Sequence, residues 1–457
     1  MKEDCVAALD FGSSKVALAV GKKAGAGIRI VGYYDAPSAG IECGEIDNDY
    51  KAAEVVRRLI EQAESKIGEK IDEVTVGLSG RVLHRTCQTC TVSRRNAVSR
   101  IMEPDVRQFI RSQYRTDVGE GAVVFDAIPQ RFSTEERIGI TQEELIGMVG
   151  AEIEADFVLF SGRKSILDRR VQVLDQCGLR LHKAVLAPIA SARAVLSAQE
   201  MESGAALVDI GKGTTEVAIV RDNVVRHVAV IPFAGEAVTG DIKTDTGITR
   251  QWAENVKILQ GRCCEEFAIE NRKLVLKNES EIVDGEVDLV LLARIIEARM
   301  SEIFDAVGYV IEQAGYANRI PGGVVITGGS SHLENIVQLA GSLLGQKVRL
   351  AAPQGSISVD SVETAFDVYA STAVGLVLET LEPKLSYAFE NEPGVPAQPE
   401  EAVQPSQPDP QPVEAPVRRR GGLFGGKGGK KKDDEPGLFE EWFGTVKREY
   451  MSTDNSA

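Results

Sequence analysis

The sequence predicts an α/β protein built as two similar halves, and three segments carry that prediction. VAALDFGSSKVALAV, from Val6 to Val20, returns about two hundred positions later as AALVDIGKGTTEVAIV, from Ala205 to Val220. In each, an apolar β-type run ends in an acid (Asp10, Asp209), passes a Gly/Ser/Thr/Lys turn and enters a second apolar run, which is the pattern of a hairpin. The third segment, PGGVVITGGSSHLENI from Pro321 to Ile336, reads as a buried strand, a Gly328-Gly329-Ser330 turn and a helix entered at its N-terminus.

The two hairpins have the chemistry of phosphate turns. Walker and dinucleotide fingerprints place phosphate at the start of a helix, whereas Val16 to Val20 and Val217 to Val220 continue as strand. The cradle is therefore turn backbone: Gly12, Gly211 and Gly213 permit close approach of N–H groups, and Ser13, Ser14, Thr214 and Thr215 add hydroxyl donors. Asp10 and Asp209, one at each strand end, suit a hydrated Mg2+, which prefers carboxylate, water and phosphate oxygens. The Gly328-Gly329 pair lets a flat base lie against backbone. Read singly, each segment is an ordinary Gly-rich loop; the matched pair makes the nucleotide reading.

The 457 residues, 43% of them hydrophobic, suffice for two or three domains with substantial cores. A net charge of −16 argues against broad nucleic-acid binding by the body. Seven cysteines, an N-terminus MKEDCVAALD with no apolar h-region, and no apolar run of about 18 residues point to a reducing cytoplasmic compartment. Cys87-x-x-Cys90 with His84 lacks a second ligand pair and alternates as a strand would. No HExxH and no nucleophile elbow supports hydrolase chemistry on those lines.

Along the chain, Ala52, Val55, Val56, Leu59, Ile60 and Ala63 predict a helix from Lys51 to Ile67, and Val74, Val76 and Leu78 a strand. His84 to Gly162 is more polar and reads as an inserted subdomain, with a helix at Pro104 to Tyr114 and a strand-turn run around AIPQRF. A helix near Ser165 to Cys177 precedes VLAPIASARAVLSA, and a second small-residue helix begins near Tyr369, with Ala370, Ala373 and Gly375; the two are predicted to cross as a hinge. Pro232 to Ile303 is a second insertion, whose helix around Trp252 to Leu259 carries Glu254 and Lys257 three apart, spacing that alone favours a surface ion pair.

Composition changes from Glu390. Residues 391–417 hold eight of the 17 prolines, an extended linker able to reach on the order of 80 Å. Arg418 to Lys432 then carries seven basic residues. In the terminal GLFEEWFGTVKREYM, helical spacing gathers Leu438, Phe439, Trp442, Phe443, Val446 and Tyr450 on one face, an interfacial membrane anchor aided by about 1 kcal/mol per basic residue near an anionic surface.

With these residues in view, the sequence resembles the actin-like ATPase superfamily, of ribonuclease H-like fold, and within it the FtsA family of bacterial cell-division proteins. The resemblance spans Cys5 to Leu381 and the plan of the tail. It is carried by GEIDN (Gly44–Asn48), IPQ (Ile128–Gln130), VLDQCGL (Val173–Leu179), IPFAGEAVTGDI (Ile231–Ile242) and AENVKILQG (Ala253–Gly261). It implies that Asp10, Gly12, Ser13, Ser14 and Lys15 form the first phosphate motif, Asp209, Gly211, Gly213, Thr214 and Thr215 the second, and Gly328, Gly329 and Ser330 the adenosine motif, with Glu254 and Lys257 on the adenosine. MreB-like relatives place a carboxylate just before the Pro of the first connecting helix, where this chain has Leu186-Ala187 before Pro188. At most slow ATP hydrolysis is therefore expected, with ATP acting as a clamp between lobes.

The implied domains are a first core subdomain (1–83, 163–198 and 370–389), an inserted self-association subdomain (84–162), a second core subdomain (199–231 and 304–369) and an insertion contacting adenosine and FtsZ (232–303). A linker (390–436) and a membrane helix (437–451) follow. The implied role is a recruiter at the cytoplasmic face of the cell membrane at the division site, binding the FtsZ C-terminal tail, forming filaments and gathering later division proteins, without nucleic acid. A small-molecule kinase or a pilus-assembly adaptor of the same superfamily would share the cleft but have no use for the anchor-like tail.

Overall fold

The computed structural model describes residues 5–25, 27–268, 272–277, 283–354, 357–359, 363–388 and 442. The duplication seen in sequence is a duplication of sheet topology. In the first lobe, Gly27–Pro37, Lys15–Ala24 and Cys5–Phe11 form an antiparallel meander, and Glu73–Leu78 and Arg180–Leu186 extend it in parallel beyond Cys5–Phe11. The second lobe repeats this with Val224–Ile231, Thr215–Arg221 and Ala205–Ile210, then Val324–Thr327 and Val348–Leu350. A sixth strand, Ile357–Val359, is added to the first sheet beside Gly27–Pro37.

Both hairpins close with the same register. Phe11 pairs Val16 and Ile210 pairs Thr215, so each turn spans the same number of residues and brings its acid to the same place. The predicted helix over Lys51 to Ile67 runs Asp49–Ile67: Asn48 caps it by accepting from the Lys51 N–H, and Gly68, left-handed at φ 76°, ends it. All six residues of the predicted apolar stripe are buried against the first sheet.

Two helices join the lobes, Ala187–Val195 and Ser371–Leu381, as the small-residue pattern predicts. Their contact is so close that a Cβ on Gly375 would stand 1.8 Å from the Ala190 carbonyl oxygen. Only a hydrogen fits there, and the two helices share a core with both sheets.

The inserted subdomain is a three-stranded antiparallel sheet in the order His84–Ser93, Glu152–Arg163, Ala122–Ser133. Cys87 and Cys90, three apart on the first of these strands, face opposite sides of the sheet. The helix expected at Pro104 to Tyr114 is Glu103–Ser112 with a 3-10 turn to Arg115, and its Phe109 stacks edge-on against Phe157 at 5.4 Å. The turn expected near AIPQRF is instead an irregularity within one strand, where the register shifts between Pro129 and Arg131: a proline removes one ladder donor, and the strand accommodates it by bulging. Gln130 there reaches the second lobe, donating to the Val225 carbonyl (3.0 Å) and accepting from Arg226 (3.1 Å).

The second insertion contains Gly235–Thr246, Arg250–Gln260 and the hairpin Lys273–Lys277/Val283–Asp288. Its expected end at Ile303 falls inside a continuous helix, Leu289–Gln313, which buries one face on the second lobe. The expected linker and terminal helix lie outside the described residues, Trp442 excepted. Among the described residues no helix is long and apolar enough to cross a membrane.

Candidate functional site

The segments singled out in sequence meet around one cleft of about 700 Å³ between the lobes. Asp10, Gly12, Ser13, Ser14 and Lys15 line it from the first lobe, and Asp209, Gly211, Gly213 and Thr214 from the second. Gly328, Gly329, Ser330, Glu254 and Lys257 complete its wall. The two turns nearly touch, since a Cβ on Gly213 would lie 2.9 Å from Ser13 Oγ and 3.0 Å from Cys43 Cα. Gly328 is left-handed (φ 89°) and packs on Asp209, where a Cβ would come within 2.3 Å of Oδ1. Gly328 does not accept a side chain, and one at Gly213 would crowd Ser13 and Cys43. The helix expected directly after this glycine turn is a 3-10 turn, Gly329–His332, and the α-helix begins only at Ile336.

Asp209 is oriented from both connecting helices: its Oδ2 accepts from Ser191 Oγ at 2.8 Å and Thr372 Oγ1 at 3.5 Å, and these hydroxyls lie 2.9 Å apart. A change at this carboxylate is thus felt by both hinge helices. Burial pushes Asp10 up to about 7, with the Asp209 charge adding to it. Burial raises Asp209 also, against the Ser191 and Thr372 hydrogen bonds. Hard oxygen donors crowded with excess negative charge are the donor set of a magnesium site, so Asp10 and Asp209 fit that ion held through water.

Glu254 and Lys257 are not the surface ion pair that spacing favours. Lys257 is 6% exposed, and its Nζ donates to Glu254 (2.8 Å), Thr239 (2.8 Å) and the Gly235 carbonyl (3.0 Å). Burial pulls the Lys257 amine down and works upward on Glu254, whose carboxyl Lys257 nonetheless holds below its ordinary range. The pair is a buried polar corner of the cleft wall, with all three ammonium hydrogens engaged by Gly235, Thr239 and Glu254.

One expected phosphate contact, Thr215, needs correction. Thr215 does not line the cleft: it opens the second strand of its hairpin, is fully buried, and donates its hydroxyl to the Phe233 carbonyl at 3.0 Å. Strand alternation sends the side chain after Thr214 to the other face. Lys15 lines the cleft, but its ammonium is held by Asp35 (2.7 Å) and the Tyr33 hydroxyl (3.0 Å) and lies 3.4 Å from the Tyr369 ring centroid. In this arrangement it ties the cleft mouth to the start of the second connecting helix.

Sequence reasoning missed Glu216. It pairs Asp209 across the hairpin at the position where the first repeat has Ala17 opposite Asp10, so aligning the repeats exposes an acid in a buried strand. It lines the cleft at 7% exposure, accepts from the Ser79 hydroxyl, and is pushed up to about 8 by burial and by Asp209. Ala187 lines the cleft where the base expected of MreB-like relatives is lacking.

Duplicated sheets, paired acid-bearing turns and crossed connecting helices around one cleft define an actin-like two-lobed protein. A solved PilM-PilN type IV pilus biogenesis complex has the same fold, with 17% identity, a TM-score of 0.58, and coverage of 83% of this chain and 99% of that one. The model of the family described as FtsA, cell division protein FtsA, matches residues 206–375. Cell division protein FtsA of Pseudomonas aeruginosa is 29% identical over 378 residues, covering 82% of this chain and 89% of the relative. That of Bacillus subtilis is 28% identical over 349 residues, covering 76% and 78%. Over most of its length the chain is thus similar to cell division proteins of the FtsA family.

Proposed function

We propose that this protein binds Mg-ATP in the interlobe cleft and, in cell division, couples filaments of FtsZ to the cytoplasmic face of the membrane at the division site. The observation that carries the nucleotide half is the convergence of Asp10 and Asp209, each beside a Gly/Ser/Thr turn, on one cleft between lobes joined by crossed helices. ATP bridging both turns favours the closed arrangement by its differential contacts with the two lobes. Hydrolysis is at most slow, and the nucleotide serves mainly to bias lobe closure and self-association through residues 84–162. FtsZ's C-terminal tail docks on residues 232–303. The face of Leu438, Phe439, Trp442, Phe443, Val446 and Tyr450 inserts into an anionic surface, and the assembly recruits later division proteins.

Cosedimentation with anionic vesicles, with and without FtsZ and ATP, tests this reading. The intact chain sediments and brings FtsZ down, and Trp442→Glu with Phe443→Glu abolishes both. Unchanged sedimentation of that variant, or of a chain ending near Pro412, refutes the tether.

A further inference from the structure

Arg170, on the helix Lys164–Gln176, is 1% exposed and belongs to none of the segments that suggested a phosphate site. Its guanidinium donates to four backbone carbonyls: Gly77 (2.8 Å), Ile166 (2.8 Å), Gly44 (2.9 Å) and Ser79 (3.1 Å). Burial lowers its pKa to about 10, so it remains a cation at neutral pH, in the field of Asp10, Glu45 and Glu216. Two of the residues it grips, Gly44 and Ser79, line the cleft. They also pack on each other: Gly44 is left-handed at φ 71°, and a Cβ there would stand 2.8 Å from Ser79 Oγ.

The consequence reaches the first turn. The Gly44 N–H donates to Ser13 Oγ at 3.1 Å. A serine oxygen that accepts a hydrogen bond on that side keeps its own proton for another acceptor, and Ser13 faces the cleft.

We propose that Arg170 is a positioning residue for the phosphate end of the cleft: by gripping the Gly44 and Ser79 carbonyls it holds the Gly44 amide on Ser13 and so directs the Ser13 hydroxyl proton to a bound phosphate oxygen. This rests on the nucleotide reading above. A planar fork that satisfies four carbonyls is a task an ammonium cannot repeat, so lysine keeps the charge and loses the geometry.

The test measures ATP and adenosine affinity of the full chain for wild type, Arg170→Lys, Ser13→Ala and the double variant, by displacement of a fluorescent ATP analogue. Arg170→Lys loses about tenfold in ATP affinity and less than about twofold for adenosine, which has no phosphate to meet Ser13. The double variant is no weaker for ATP than Ser13→Ala, because both changes act on one contact. Equal losses for ATP and adenosine, or losses that multiply in the double variant, overturn the proposal by making Arg170 a packing residue only. A wild type that binds no ATP removes the nucleotide reading and this inference together; a wild type that binds ATP beside an unaffected Arg170→Lys removes this inference alone. Should Arg170→Lys not fold, Gly44→Ala strikes the same relay nearer Ser13, and it must show the same selective loss of ATP affinity or the proposal fails.

Discussion

Ser79, just beyond the strand Glu73–Leu78 of the first lobe, donates its hydroxyl to the carboxylate of Glu216 on the second. The bond crosses the cleft floor and ties the lobes where burial pushes Glu216 up to about 8 and Asp10 up to about 7. A carboxyl whose folded pKa exceeds its unfolded value keeps its proton longer in the folded chain, so the stability it contributes is fullest in acid and falls as pH rises toward the folded value. His227, which burial holds down to about 3, acts oppositely, but its contribution is complete above its ordinary value of 6.5. Metal-free protein should therefore lose thermal stability from pH 6.5 to about 8, and Glu216→Gln should flatten the decline. Parallel melting curves for the two proteins across that window would remove Glu216 as the cause.

Asp209 is fixed by Ser191 and Thr372, so removing its carboxylate deletes a negative charge already aimed into the cleft. Asp209→Ala should weaken Mg-ATP binding by about 2 kcal/mol, roughly thirtyfold, the worth of a charge-assisted contact. ATP without divalent ion should bind the variant no worse than wild type, because the lost group repels phosphate. Calorimetry in magnesium and in chelator separates these, and undiminished Mg-ATP affinity would end the metal role of this carboxylate.

The parts of the cleft legible in sequence were those written in local pattern. Asp10, Gly12, Asp209 and Gly213 announce themselves by repetition, and the hinge helices by Ala190 and Gly375 at spacings that suit close packing. What local pattern hides is pairing across elements. Glu216 looked like one strand residue among many because its meaning lies in its partners, Asp209 across the hairpin and Ser79 on the other lobe. Arg170 sits on an amphipathic helix where a basic residue reads as solvent-facing, and only the fold brings four carbonyls to it. Thr215 erred the other way, since composition marks it as a donor while strand alternation turns it into the core.

At the hinge, the Ala190 carbonyl leaves no space for a side chain on Gly375. Alanine would ordinarily gain about 1 kcal/mol of helix propensity over glycine, yet the overlap forces the two connecting helices apart. Gly375→Ala should thus destabilise the protein by a net ~2 kcal/mol, read as a lower urea midpoint. A midpoint equal to or above that of wild type would contradict the crossing distance.

Beyond the second connecting helix, two buried carboxylates fasten the segment Lys384 to Tyr387. Glu379 accepts from the backbone N–H groups of Lys384 (3.2 Å), Leu385 (3.1 Å) and Ser386 (3.0 Å). Asp126, on the inserted subdomain, accepts from the hydroxyls of Ser386 (2.7 Å) and Tyr114 (2.8 Å) and from the Tyr387 N–H (3.1 Å). Asp126→Ala would leave those donors buried without their acceptor, at a cost of about 3 kcal/mol, whereas Ser386→Ala removes one donor and costs about 1 kcal/mol. The first variant should lower the melting temperature and open the segment around Ser386 and Tyr387 to limited proteolysis, with the second intermediate. Because Asp126 joins the inserted subdomain to the segment around Ser386 and Tyr387, equal protease resistance in all three proteins would mean that this junction does not hold that segment.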